Sequence, residues 1–288
     1  MQVGDGYKRG FTLVELIVVI SIMSLLMAIV LPALSGAKRQ ARAVVSMSNQ
    51  RQVSAAANLF ASGNNERYPE SVATIGFGSN WNWTDPTRLT GNRRRSPQLH
   101  RAMSEYLQNY VDDASVMYCP NAPRKYKYLQ KAWNAGDNWD NPDTAFAADP
   151  VGGTYCYYWN YKGYLDGRGI FRGPRSPASG GRYSKLIMSD YFGYNHWRSP
   201  GCYGSCEPFD QANITEETYL LSAYWSRKSE TYDVPEIELL AGYTDGHVEK
   251  YSASEVVPMQ VSITADGKTP YPEDVGPGIF YLPRNALN

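Results

Sequence analysis

The sequence predicts an α+β fold: a long N-terminal hydrophobic α-helix packed on an antiparallel β-sheet globular head with large loops. Three observations carry this. Residues 11–34 form an apolar run with one charge, Glu15. Residues 35–62 are rich in helix formers, with apolar side chains at Ala37, Ala41, Val44 and Val45, then Val53, Ala56, Ala57 and Phe60, close to helical spacing. Beyond Gly63 the composition turns to Asn, Gly, Tyr and Pro, which favours strands and turns over further long helices.

The first element decides most of the rest. Ten residues ending Lys8-Arg9-Gly10 precede the apolar run. A secretory signal peptide places its small-residue cleavage site after a shorter apolar core. Here Gly10 stands before the core, so a cut after it leaves the helix on the mature chain, beginning at Phe11. A bilayer core of roughly 30 Å needs about 20 apolar helical residues, and residues 11–34 supply them. Glu15 is the anomaly, because a carboxylate deep in hydrocarbon costs roughly 2.5–3.5 kcal/mol and normally has a partner or a function. Pro32 removes one helical hydrogen bond near the end of the run. Lys8 and Arg9 flank one side and Lys38, Arg39 and Arg42 the other, so charge alone does not orient the span.

A basic leader, Gly10 at the cut, Phe11 after it, Glu15 four residues on and an unbroken apolar helix together resemble the prepilin signature of type IV pilins and type II secretion pseudopilins. The resemblance covers about the first 50 residues. It implies that a prepilin peptidase cuts between Gly10 and Phe11 and methylates the new amine. It also implies that Glu15 meets the Phe11 amine of a neighbouring protomer and that the helix can loosen before Pro32. The leader lies in the cytoplasm and the rest of the chain outside. The alternatives are a plain single-pass anchor and a Glu15 that snorkels to the interface.

These boundaries divide the chain into a leader (1–10), a transmembrane or filament-core helix (11–34), an amphipathic continuation of that helix (35–62) and a head (63–288). The length of 288 residues suits this, and a formal net charge of zero gives no global electrostatic case for nucleic acid. Four cysteines in an exported domain suggest disulfides; of three pairings, Cys202–Cys206 and Cys119–Cys156 are favoured, with a zinc site at Cys202, Cys206 and His196 as the weaker reading.

In chain order, the stem helix stops at Gly63-Asn64-Asn65. Residues 66–95 form a loop holding Trp81, Trp83 and the surface run Arg93-Arg94-Arg95. Ser96-Pro97 opens a second helix with Leu99, Met103, Tyr106, Leu107 and Tyr110 inward. A short strand covers 115–119, and 121–153 is irregular, with Trp133 and Trp139. Strands follow at 154–161 and 185–191. Extended runs at 236–243 and 248–252 flank Asp245-Gly246, a hairpin signal. The tail from Pro258 wraps the head without regular structure.

Tyr68-Pro69, Tyr118-Cys119-Pro120, Ser189-Asp190 and Tyr243-Thr244-Asp245-Gly246-His247-Val248 resemble, in order, the processing-associated head domain named for a His ten residues before Asp-Gly. Pro235 stands where that His belongs. Some pseudopilins hold calcium in a C-terminal loop, which marks Asp190, Asp233 and Asp245 as candidate ligands, though no EF-hand spacing supports them and no other cofactor is implied. His100, His196 and His247 complete no catalytic motif, so no enzyme activity is expected.

The reading is a structural pilin or pseudopilin subunit that polymerises through its N-terminal helix into an extracellular or periplasm-spanning filament. Its partners are copies of itself, the prepilin peptidase, an inner-membrane assembly platform and, before assembly, the inner membrane. The alternative is a pilin-anchored adhesion module whose Trp81, Trp83, Trp133 or Trp139 grips a glycan or a secreted substrate.

Overall fold

Helix α1 spans Leu13–Gly63 and continues unbroken through Pro32. The structure, a computed structural model, describes residues 11–77, 80–91, 99–120, 127–140, 142, 151–165, 169–194, 200–202, 238–261, 263–264 and 279–287. Two compact units divide the chain, 1–41 and 42–288, and α1 contributes to both.

In the first unit every residue from 11 to 34 is exposed. Among the described residues nothing covers this apolar stretch, and the helix is long and apolar enough to cross a membrane.

In the second unit α1 changes character. Ser46, Asn49, Gln50, Val53, Ser54, Ala56, Ala57 and Ala61 are buried. The left-handed backbone that turns the chain away after the helix falls on Asn65 and Glu66 (φ 54° and 58°) rather than on Gly63. Asn64 helps to close the end, donating from its side chain to the Phe60 carbonyl at 2.8 Å.

The strands are β1 Thr74–Phe77, β2 Asn80–Trp83, β3 Tyr155–Tyr157, β4 Lys162–Leu165, β5 Gly169–Arg172, β6 Leu186–Asp190, β7 Phe192–Tyr194, β8 Pro200–Cys202, β9 Glu238–Tyr243, β10 Val248–Ser252, β11 Val256–Gln260, β12 Ile263–Thr264 and β13 Ile279–Pro283. All described pairings are antiparallel. They build three sheets, ordered β1-β2-β12, β10-β9-β6-β3 and β5-β4-β11-β13-β7-β8. The predicted hairpin is β9–β10, with Gly246 at φ 86° in its turn, a conformation that favours glycine.

Two apolar cores result. One gathers Val53, Ala57 and Ala61 of α1 with Met103, Leu107, Trp133, Tyr155, Tyr157 and Ile187. The other gathers Cys156, Tyr158, Leu186, Leu239, Met259, Phe280 and Leu282. Strand β3 separates them by simple alternation: Tyr155 and Tyr157 face the first core and Cys156 the second.

Several predicted elements are corrected. The helix start expected at Ser96-Pro97 lies outside the described residues; from residue 99 on the helix is only α2, Ser104–Leu107, and Tyr110 is exposed. Upstream, the Arg101 and Ala102 amides both donate to Asp137 and Met103 donates to Leu89, so tertiary partners take the bonds a helix would use. The strand expected at 115–119 is a 3-10 turn, Ala114–Met117, capped by Asp113, which accepts from the Ser115 amide at 2.8 Å. The loop 121–153 contains a helix, α3 Leu129–Ala135, that buries Trp133. The tail supplies β11 and β13, which form the middle of the largest sheet.

Candidate functional site

The N-terminal end of α1 is built by Thr12 and Glu15. The Glu15 amide donates to Thr12 Oγ1 at 3.2 Å. In return Glu15 Oε2 accepts from the Thr12 amide and from Thr12 Oγ1, both at 2.8 Å. This reciprocal arrangement is a capping box, which satisfies two donors that the first turn of a helix otherwise leaves unpaired. The sequence reading assigned Glu15 an intermolecular partner and missed this local one; the Thr-x-x-Glu spacing was the available signal. Glu15 Oε1 makes no hydrogen bond among the described residues, so Thr12 engages only one of the two carboxylate oxygens. Gly10 lies outside the described residues. Pro32 sits mid-helix, where the Ser35 hydroxyl donates to its carbonyl at 2.7 Å.

A second constellation was only half visible in the sequence. Ser46, Gln50, Ser54 and Asn58 recur every four residues and so form one ridge along α1. Asp190, fully buried at the end of β6, accepts from Gln50 Nε2 at 3.0 Å, from the Ser46 hydroxyl at 3.3 Å and from the Leu240 amide at 3.1 Å. The Ser46 hydroxyl also pairs with the Tyr155 phenol at 3.0 Å. Burial pushes that phenol well above its ordinary range. On the neighbouring ridge Asn49 donates to the Tyr118 carbonyl at 3.2 Å. Asn58 donates to the Thr244 carbonyl at 2.9 Å and accepts from the Tyr68 hydroxyl at 2.6 Å. The four head segments singled out in the sequence, around Tyr68, Tyr118, Asp190 and Thr244, are thus the places where the head grips the stem helix.

The candidate metal ligands do not converge on one role. Asp190 faces donors, the wrong polarity for a cation. Asp245 accepts from the His247 amide at 3.1 Å and pairs with His247 Nδ1 at 2.5 Å. Asp233, Cys206 and His196 lie outside the described residues, as does the side chain of Cys202. No group of three or more His, Cys, Asp or Glu gathers among the described residues.

Cys119 and Cys156 are both buried and are not joined to each other, which corrects the expected pairing. The reason is strand alternation: Cys119 lies in the core that contains Tyr155 and Tyr157, whereas Cys156 points into the other.

The tryptophans divide as well. Trp133 and Trp139 are buried, and Trp133 Nε1 donates to the Val111 carbonyl at 2.9 Å, so neither offers a surface for a glycan. Trp83 is also largely buried, but it edges a surface groove with the Lys162 ammonium 4.3 Å above its ring. The side chain of Trp81 and the run Arg93–Arg95 lie outside the described residues. His100 pairs with Asp137 at 2.9 Å, and the His247 ring stacks on Tyr243 at 4.4 Å. His247 belongs to the β9–β10 turn, and His100 to a contact with Asp137, 37 residues away.

Compared with known families, residues 6–31 match the prokaryotic N-terminal methylation motif. No curated protein and no solved structure matches the chain.

Proposed function

We propose that this type IV pilin-like chain is a structural subunit that a prepilin peptidase cuts between Gly10 and Phe11 and methylates, and that then polymerises through α1. The observation that carries the reading is a motif-bearing helix whose residues 11–34 are all exposed in the single chain. Such a surface needs lipid before assembly and neighbouring helices after it, because apolar area of this extent is not left in water. The chain then resides in the inner membrane first and in an extracellular or periplasmic filament afterwards, delivered by an inner-membrane assembly platform.

Glu15 sets the axial spacing in this scheme. The Phe11 amine of an incoming subunit pairs with the carboxylate oxygen that Thr12 leaves open. In a low-dielectric helix bundle, leaving either partner of an ion pair alone is costly. The bundle therefore admits one register.

The test is co-expression with a prepilin peptidase and an assembly platform, followed by N-terminal mass analysis and filament imaging. A mature N-terminus at methylated Phe11 is expected. Glu15→Ala should leave membrane insertion intact and cut filament yield at least about tenfold, the loss that follows when a pairing worth about 1.4 kcal/mol or more per subunit is removed. Thr12→Ala removes the cap, worth about 1 kcal/mol, but keeps the carboxylate. It should therefore retain filaments. Normal filaments from Glu15→Ala would contradict the register role, and an uncut Met1 terminus would favour a plain anchor.

A further inference from the structure

Two grooves adjoin on the head. The larger, about 610 Å³, is edged by Trp83, Lys162, Arg172, Arg175 and Tyr183. The smaller, about 440 Å³, shares Arg172 and Tyr183 with it and adds Arg182 and Arg284. Cations therefore recur along the whole track, in a chain whose formal net charge is zero.

The arrangement is costly as it stands. Lys162 on β4 and Arg172 on β5 are directly opposite one another across an antiparallel pair. Like charges in that relation destabilise a sheet. Burial, then Arg172 and Arg175, hold the Lys162 ammonium below the usual lysine range. Glu70 is the one acid lining the larger groove, and among the described residues no carboxylate lies within ion-pair distance of Lys162, Arg172 or Arg175. A bound anion would relieve all three groups together.

The aromatic rings narrow the class of anion. Lys162 covers the face of Trp83 at 4.3 Å, and Arg175 and Arg182 lie over Tyr183 at 5.1 and 5.3 Å. Cations already sit over these rings and Trp83 is buried, which leaves little ring surface for the base stacking by which single-stranded nucleic acid is gripped. A track of cations longer than one pocket suits a chain of spaced negative groups better than a single small ion.

We infer that the two grooves form one binding track for a polyanionic polysaccharide, whose uronate carboxylates or sulfate esters neutralise Lys162, Arg172 and Arg175. The inference does not depend on polymerisation.

The test uses the full-length chain in detergent micelles, titrated calorimetrically with polygalacturonate, dextran sulfate, neutral dextran and poly(dT). Either or both acidic glycans should bind, in a salt-sensitive manner, and comparing them separates carboxylate from sulfate recognition. Neutral dextran should not bind. Lys162→Gln and Arg172→Gln should each weaken binding about tenfold, as expected for loss of one charge-assisted contact. Arg51→Gln, on the exposed face of α1, should not change it. Arg172→Gln should melt no lower than the parent, because it removes a like-charge pair; this guards against misreading a folding defect as lost binding. Equal binding of neutral dextran, tighter binding of poly(dT) than of either acidic glycan, or unchanged affinity in both Gln variants overturns the proposal. Glu15→Ala should lose filaments and keep binding, so failure of one reading is distinguishable from failure of the other.

Discussion

Asp137 shows how one side chain can fix a stretch of chain that propensity would fold otherwise. Its Oδ1 accepts from the Arg101 and Ala102 amides at 2.7 and 2.9 Å, and its Oδ2 pairs with His100 at 2.9 Å. Burial pushes this carboxyl up, but the bonds from His100, Arg101 and Ala102 outweigh it and hold the group below the usual aspartate range. A carboxyl depressed by folding adds stability above its unfolded value, about 3.9, and loses it as pH falls through the lower folded value. Asp137→Asn should therefore cost roughly 1 kcal/mol at neutral pH, a figure reduced for partial solvent screening. The difference from the parent should shrink as pH falls through the lower folded value. Denaturant unfolding at pH 7 and pH 3 checks this, and a deficit independent of pH would contradict it.

Helix α1 carries two kinds of pattern, and only one was legible in advance. Its apolar residues at 53, 56, 57 and 60 predicted a face for the head, and the hydrophobic run predicted the span. The polar residues between Val45 and Val53 carried no assignment, yet Ser46, Asn49 and Gln50 are buried and bonded to the head. Sequence could not assign them, because their partners lie 69 to 144 residues away. Strands β6, β9 and β10 were readable from extended runs and an Asp-Gly turn. Helix α3 and the 3-10 turn after Asp113 were not, since each depends on long-range burial or a one-residue cap. Asp190, flagged as a possible ion ligand, accepts from Ser46, Gln50 and Leu240 and so ties the head to α1. Asp190→Ala should lower stability by about 2–3 kcal/mol, because it strands the buried donors of Gln50 and Leu240. An unchanged unfolding midpoint of the full chain in detergent would refute that anchoring role.

The whole molecule combines an apolar segment that is exposed among the described residues with a unit that holds two cores, one of them shared with the second half of α1. Because β3 divides those cores, each contains one sulfhydryl group, Cys119 or Cys156, screened from solvent. Burial pushes the Cys156 thiol well up, which suppresses the thiolate that alkylating agents attack. The pair is in effect a set of two internal gauges. Pulsed alkylation with peptide-level mass spectrometry should tag neither in the native protein, and in rising denaturant it should report whether the two halves of the head come apart in one cooperative step or in succession. Rapid modification of Cys156 without denaturant would mean that its side of the sheet breathes far more freely than its packing implies.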